Sequence, residues 1–507
     1  MAAPEDDARE FLRTAHLYQL GELVTEGRHP LTRHLSDWAT QDLPRAYLAL
    51  SAADVRALAL LGGAASAIVA LRASIRTALA AGGRIFLCGC GATGRLSLLL
   101  ESLWNDAHAG DSRVRAFMAG GDVALVHSLE GFEDFPDYGA RHLRELGYTP
   151  SDLLIGCTEG GETPYVIGAV EYAASLARRP PYFLYCNPDA DLAPVNRSRR
   201  VIERTDIRKI NLTVGPMALS GSTRMQASTA LQLAVGYALL TDYDEGHIRS
   251  SLGRLVDAVM ANAASVLPPF TERESAIYAA GEFVLYLADA CPITVFTDTT
   301  ERAPTFSLTP FANPLSGALL DRPPSLSYVV VPGTSSPSDA WHALLGRAPH
   351  ALDWPEIDAR TSRPYLEAFD FSDAGRTYRR TQLAGAEQHE FRVSGPDLSF
   401  DLDGIGDRIA LPGEWHPLER HTLLKMLLNQ HSTLVMGRLG RYESNIMTWV
   451  SPTNGKLIDR AARYTRHLLA DRGVEASYED VVIELFRQRA VVATDESVVM
   501  RVVNEWT

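Results

Sequence analysis

Five short runs in the first half of the chain are apolar along nearly their whole length and alternate with stretches of helical spacing. The runs are Arg84–Cys90, Val114–Ala119, Asp152–Cys157, Tyr182–Cys186 and Ile210–Val214; Thr163–Arg178 and Ser222–Leu240 read as helices between and after them. A strand with one wet face alternates apolar and polar residues, whereas a strand apolar on both faces must be covered on both. The pattern therefore predicts a parallel sheet sandwiched between helices.

Ahead of this unit, residues 1–80 read as mostly helical, with Ala53–Ala81 rich in Ala and Leu at helical spacing. A weaker alternation follows it. Glu272–Ala290 is predicted as a helix, Pro292–Asp298 and Ser325–Pro332 as strands, and GTSSPSDAWHALLG as a small-residue turn entering another helix. HEFRVSG and LSFDLDG read as strands within a Pro-, Gly- and Asp-rich stretch, and from Leu418 the chain turns helical again, with SPTNGKL as a turn between helices. The expected division is an N-terminal helical segment (1–80), a first α/β domain (81–265), a second (266–417) and a C-terminal helical region (418–507).

The 507 residues carry a formal net charge of −14, which argues against nucleic acid or an anionic membrane as the main partner. No apolar run is long enough to span a bilayer, and MAAPEDDAREF lacks the basic and apolar regions of a signal peptide. Cys88, Cys90, Cys157, Cys186 and Cys291 lie mostly inside apolar runs, as reduced thiols of a cytoplasmic protein do. No further ligands accompany Cys88 and Cys90, so neither a metal nor a cofactor is expected.

GCGATG (89–94) joins the first apolar run to a leucine-rich helix. Such a turn presents backbone N–H groups and a helix N-terminus to an anion. A P-loop would need a lysine after Gly94, and none follows. A dinucleotide fingerprint would need an acidic residue at the end of the next strand, where GG stands, with Asp122 only beyond it. A phosphosugar site would need several hydroxyl-rich turns at strand ends. CTEGGETPY (157–165) and SGSTRM (220–225) supply them. Singly, such a hydroxyl is a helix cap worth about 1 kcal/mol; three in one α/β unit point to a shared anion.

GCGATGRLS, EGFED (130–134), TPYVIGAVEYA (163–173) and GPMALSGSTRMQAST (215–229) resemble the sugar isomerase (SIS) domains of N-acetylmuramic acid 6-phosphate etherases and of the glucokinase regulatory protein. LVTEGRHPLTRHLSD (23–37), TVFTDTTERAPTF (294–306) and the segment LLKMLLNQHSTLVMGRLGRYESNIMTWVSPTNGKL (423–457) extend the likeness. The resemblance implies two tandem flavodoxin-like α/β/α sandwiches with N-terminal helices and a C-terminal helical cap. The length is similar to the tandem regulatory-protein branch, because the etherases carry one domain per chain and pair as dimers.

The etherases remove lactate by elimination, with a base at sugar C2 and an acid at the leaving oxygen, work that needs two carboxyl groups in different protonation states. Glu133 matches one family glutamate, but the other falls on Leu103. Glu101 is two residues away, about 200° around the helix, and is expected to point elsewhere. The resemblance implies sugar-phosphate binding by Gly91, Thr93, Glu133, Thr158, Ser222, Thr223 and Lys425. Gln226 and Met217 replace a lysine and a glutamate common in the family, and Glu159 and Glu162 bring acidity close to the expected phosphate. The first expectation is a non-catalytic or weakly catalytic sensor of a fructose phosphate or amino-sugar phosphate that controls a sugar kinase or a pathway enzyme, as monomer or homodimer. The alternatives are an etherase-like lyase using Glu133 and a phosphosugar isomerase. GTSSPSD (333–339) is a candidate second phosphate turn, and His416 and His421 are expected at the surface.

Overall fold

The computed structural model describes residues 4–18, 20, 23–129, 131–176, 178–450, 452, 455–493 and 496–507. Glu130 of EGFED and residues 451, 453 and 454 of SPTNGKL lie outside the described residues.

The first sheet holds β1 (Ile85–Gly89), β2 (Val114–Met118), β3 (Leu153–Cys157), β4 (Tyr182–Tyr185) and β5 (Arg208–Asn211), ordered β2-β1-β3-β4-β5. Every neighbouring pair is parallel. β1, β3 and β4 are buried throughout, as their unbroken apolar sequence requires. β5 begins earlier than the apolar run Ile210–Val214, because Arg208 and Lys209 are carried on an edge strand where one side can be wet. From β1 the chain moves outward to β2, then returns past β1 to β3. That reversal leaves a crevice beyond the carboxyl ends of β1 and β3, where ligands of doubly wound sheets bind.

The second sheet holds β6 (Phe283–Ala288), β7 (Ser327–Val330), β8 (Gln388–Ser394), β9 (Ser399–Leu402) and β10 (Ile405–Arg408), ordered β10-β9-β8-β6-β7. β7, β6 and β8 are parallel, whereas β8, β9 and β10 form an antiparallel meander. This sheet is thus mixed, and burial alternates along β8 and β9 as one-sided strands require.

Two expected elements are corrected here. Glu272–Ala290 is not one helix: Pro268–Ala279 is helical, Gly281 turns the chain at φ +79°, and FVLYLA becomes the central strand β6. PITVFTD is not a strand but the start of the helix Pro292–Phe306. Proline at the first helical position favours that start, and burial of Thr294, Asp298, Glu301 and Arg302 overrides the strand propensity of the β-branched residues. The helix predicted from Ser222 begins at Gln226.

The helix Pro417–Arg438 runs through the middle of the molecule. It packs against Leu35–Gln41, Gln226–Leu240, Glu245–Val266, Pro268–Ala279 and Pro292–Phe306, and it is buried on every face. His421, expected at the surface, is buried against Thr294, with Nδ1 and Oγ1 2.7 Å apart. A buried chain of charges joins the halves. Arg224 contacts Asp298 at 3.1 Å, Arg302 contacts Asp298 at 2.9 Å and Glu274 at 2.6 Å, and His431 contacts Glu274 at 2.6 Å. The final helices Gly455–Asp471, Tyr478–Arg489 and Val498–Trp506 pack on one another, with Pro4–Thr14 against Tyr478–Arg489. Among the described residues no single helix is long and apolar enough to cross a membrane.

Candidate functional site

The crevice beyond β1 and β3 opens into a cavity of about 280 Å³. Its floor is built first by the glycine turn. The backbone N–H of Cys90 donates to Thr93 Oγ1 at 2.9 Å, and the Thr93 hydroxyl donates to the Cys90 carbonyl at 2.8 Å. This closes the first turn of the helix Gly91–Ala107 and leaves Gly91, at φ +50°, on the cavity wall. A side chain at Gly89 would collide with the backbone of Thr93, so the two glycines do different work: one permits close packing, the other a left-handed backbone.

The turn after β3 supplies Glu159, Gly160, Glu162 and Thr163. The Thr158 hydroxyl lies 2.9 Å from that of Thr163 and accepts the Gly161 N–H at 3.3 Å. The turn before Gln226 supplies Gly221, Ser222, Thr223 and Arg224. The roof comes from the two ends of the chain. Glu26 is paired with Arg460 at 2.6 Å and accepts the Tyr464 hydroxyl at 3.1 Å, while Thr25 and Asn187 exchange hydrogen bonds of 3.1 and 3.0 Å. Lys456, on the same late helix as Arg460, reaches Glu162 at 3.0 Å and Glu133 at 3.9 Å. The second half adds Glu301, Pro304 and Thr305.

Of the residues singled out in the sequence, Gly91, Glu133, Ser222 and Thr223 meet at this cavity; Thr93, Thr158 and Lys425 do not line it. The Thr93 and Thr158 hydroxyls are engaged in their own turns. Lys425 stands behind the third turn, donating to the Arg224 carbonyl at 2.7 Å, Thr229 Oγ1 at 2.9 Å and Asn429 Oδ1 at 3.1 Å. Burial lowers its pKa to about 8. A lysine of an amphipathic helix would reach solvent; this helix has no solvent face.

Leu103 is 7 % exposed and sits in the core, while Glu101 turns toward the second half, 2.9 Å from Arg347, which also holds Asp122 at 2.7 Å. Neither residue lines the cavity. Gln226 is buried, its Oε1 accepting the Ala218 N–H at 2.9 Å and its Nε2 donating to Asp54 at 2.6 Å. Met217 is core.

The electrostatics of the cavity are mixed. Burial raises Glu162, but Lys456 and Arg197 overcome it and hold the carboxyl at about 2. Lys456 is correspondingly raised by Glu162 and Glu133 against the cost of its burial. Arg95 and Arg224 also face the cavity, and the Nε atoms of both are buried without a hydrogen-bond partner among the described residues. Sequence reasoning missed Arg95, Arg224, Lys456, Arg460 and Glu301 as members of the site. Each stood within a quoted motif or a few residues beyond one; what the sequence lacks is the folding back of residues 455–471 over β1 and β3.

The model of the glucokinase regulatory protein N-terminal SIS domain matches residues 67–174. The N-acetylmuramic acid 6-phosphate etherase of Synechococcus sp. (strain CC9902) is 34% identical over 252 residues, covering 48% of this chain and 73% of the relative. That of Gloeobacter violaceus (strain ATCC 29082 / PCC 7421) is 33% identical over 266 residues, covering 51% of this chain and 82% of the relative. The chain belongs to the etherase and glucokinase regulatory protein family of SIS domains. Tagatose-6-phosphate ketose/aldose isomerase from Escherichia coli is a similar solved structure, with a TM-score of 0.44 and 13% identity, covering 80% of this chain and 95% of that one. The family membership rests on sequence, and the cavity lies where the matched segment contributes the turns after β1 and β3.

Proposed function

We propose that this chain binds a phosphorylated amino sugar in the cavity and removes a lactyl ether from it, as its etherase relatives are named for doing. The observation that carries the reading is the position of Glu133. Its carboxylate faces the same cavity as two helix-opening turns and lies 3.9 Å from Lys456. The N–H groups at Gly91–Ala92 and Ser222–Thr223, with Arg95 and Arg224 behind them, are suited to the phosphate. Glu133 then faces the sugar carbons as the base that takes the C2 proton.

Residues from the second half and from the C-terminal helices complete the cavity within one chain. This supports a monomer as the functional unit and the four-part division 1–80, 81–265, 266–417 and 418–507 as a working description. A second reading, a sensor that binds a fructose or amino-sugar phosphate and regulates a sugar kinase without turnover, is favoured by the burial of Leu103 where the family acid stands. The deciding experiment is lactate release from N-acetylmuramic acid 6-phosphate, with calorimetric titration of the same protein by fructose 6-phosphate and N-acetylglucosamine 6-phosphate. Lactate release that Glu133→Gln abolishes supports the lyase. Saturable binding without lactate supports the sensor.

A further inference from the structure

The loss of the family glutamate at Leu103 leaves the elimination without an acid. Five carboxylates line the cavity: Glu26, Glu133, Glu159, Glu162 and Glu301. Glu26 is fixed by Arg460 and Tyr464, and Glu162 by Arg197 and Lys456. Burial raises the pKa of Glu301, and the charges of Arg95, Arg224 and Lys425 oppose that rise. Glu133 lies beside Lys456.

Glu159 and Glu301 both carry a buried carboxylate oxygen without a hydrogen-bond partner among the described residues, but three cations act on Glu301, whereas Lys456 is the cation that acts on Glu159. Glu159 follows β3 by two residues, it is 9 % exposed, and its Oε1 is the unpartnered atom. An unpaired buried carboxylate oxygen costs stability. We propose that Glu159 is the acid of this site, the group that protonates the departing ether oxygen in place of the glutamate missing at Leu103. The proposal rests on the etherase reading above.

Its surroundings suit the role. Burial is the largest influence on Glu159 and pushes its pKa up to about 7; a hydrogen bond from its own backbone N–H and the charge of Lys456 oppose the rise, and the negative charges of Glu301 and Glu133 add to it. The other titratable groups facing it are the thiols of Cys90, Cys157 and Cys186, all raised and therefore neutral.

In the elimination, the Glu133 carboxylate takes the proton from C2, the C2–C3 double bond forms and the C3–O bond breaks. The lactate oxygen leaves with the proton of Glu159. Water then adds across C2 and C3: Glu159, now a carboxylate, takes a proton from the water whose oxygen bonds to C3, and Glu133 returns its proton to C2. Both groups end as they began, and the sum is substrate plus water giving amino-sugar phosphate plus lactate.

The test follows both half-steps by NMR in D₂O, using N-acetylmuramic acid 6-phosphate with wild type, Glu159→Gln and Glu159→Asp. The expected result is that wild type exchanges the C2 proton for deuterium and releases lactate. Glu159→Gln keeps the exchange while lactate release falls about 10²–10⁴-fold, and Glu159→Asp recovers part of the release. Lactate release at the wild-type rate by Glu159→Gln would overturn the acid role and leave the etherase reading standing. Loss of both signals in a folded Glu159→Gln would also overturn it, by giving the residue to binding or to the base step. Wild type that neither exchanges nor releases would bring down both readings. Urea unfolding supplies an independent check. A carboxyl at about 7 when folded and 4.5 when unfolded binds its proton more tightly in the fold. Wild-type stability therefore falls as pH rises from 4.5 to 7, and Glu159→Gln flattens that slope. Equal slopes would overturn the proposal.

Discussion

The two halves of the molecule turn the same corner in the same way and do different things with it. After β1 the chain enters a helix through Gly91 at φ +50°; after β6 it enters a helix through Cys291 at φ +48°. In the first half the corner opens onto the cavity. In the second it is packed shut, with Thr294 bonded to His421 of the central helix. The helix that follows Cys291 contributes through its other end, where Glu301, Pro304 and Thr305 line the first half's cavity. The turn GTSSPSD after β7 is likewise occupied by the chain's own carboxylates. Asp373 accepts the Gly333 N–H at 2.9 Å, and Asp339 accepts the Ser335 hydroxyl at 2.7 Å. An anion would meet negative charge on the donors it needs. The comparison teaches that a phosphate site depends less on the turn than on what the rest of the chain leaves in front of it.

The comparison can be broken at its strongest point first. Glu133→Gln is expected to lower lactate release about 10²–10⁴-fold, while Asp373→Asn, at the corresponding strand ends of the second half, leaves it within about twofold; kinetics on the two variants decide it. Next in size is the joint between the halves. Arg302→Met removes the cation that the buried Glu274 and Asp298 share, leaving Asp298 with Arg224 alone, and is expected to cost about 3–5 kcal/mol, measured by urea unfolding.

The two corners can then be compared directly. Gly91→Ala places a side chain at positive φ and should cost about 1–2 kcal/mol and weaken sugar-phosphate binding. Cys291→Gly should change stability by no more than about 1 kcal/mol and leave binding alone. Equal effects at both corners would erase the distinction. A pH-dependent test concerns Lys425. Its pKa is about 8 in the fold against 10.5 unfolded, so the unfolded chain binds more protons between these values. Stability should rise as pH climbs from 8 to 10.5, and Lys425→Met should remove that rise.

The first sheet was legible because β1, β3 and β4 are apolar on both faces, a pattern few other structures produce. The second was read less well. FVLYLA followed a helix with only Gly281 to separate them, and PITVFTD has strand-like composition but is held helical by its buried polar contacts. At the site, Gly91, Ser222 and Thr223 were visible from turn chemistry, and Glu133 from resemblance to the family. Lys456 and Arg460 lie more than 360 residues further along the chain than the turn after β1, and nearly 300 further than the turn after β3, that they cover. No local pattern records that contact. Lys425 was assigned to the phosphate by the family resemblance alone, and it stands behind the third turn on a helix that is enclosed on all sides.

That roof has a consequence for how the protein comes into being. The ribosome delivers the turns at Gly91, Glu159 and Ser222 early and Lys456 and Arg460 last among the cavity's walls. A nascent chain can fold its first sheet long before it can enclose a ligand. Sugar phosphate therefore has nothing complete to bind until residues 455–471 have emerged.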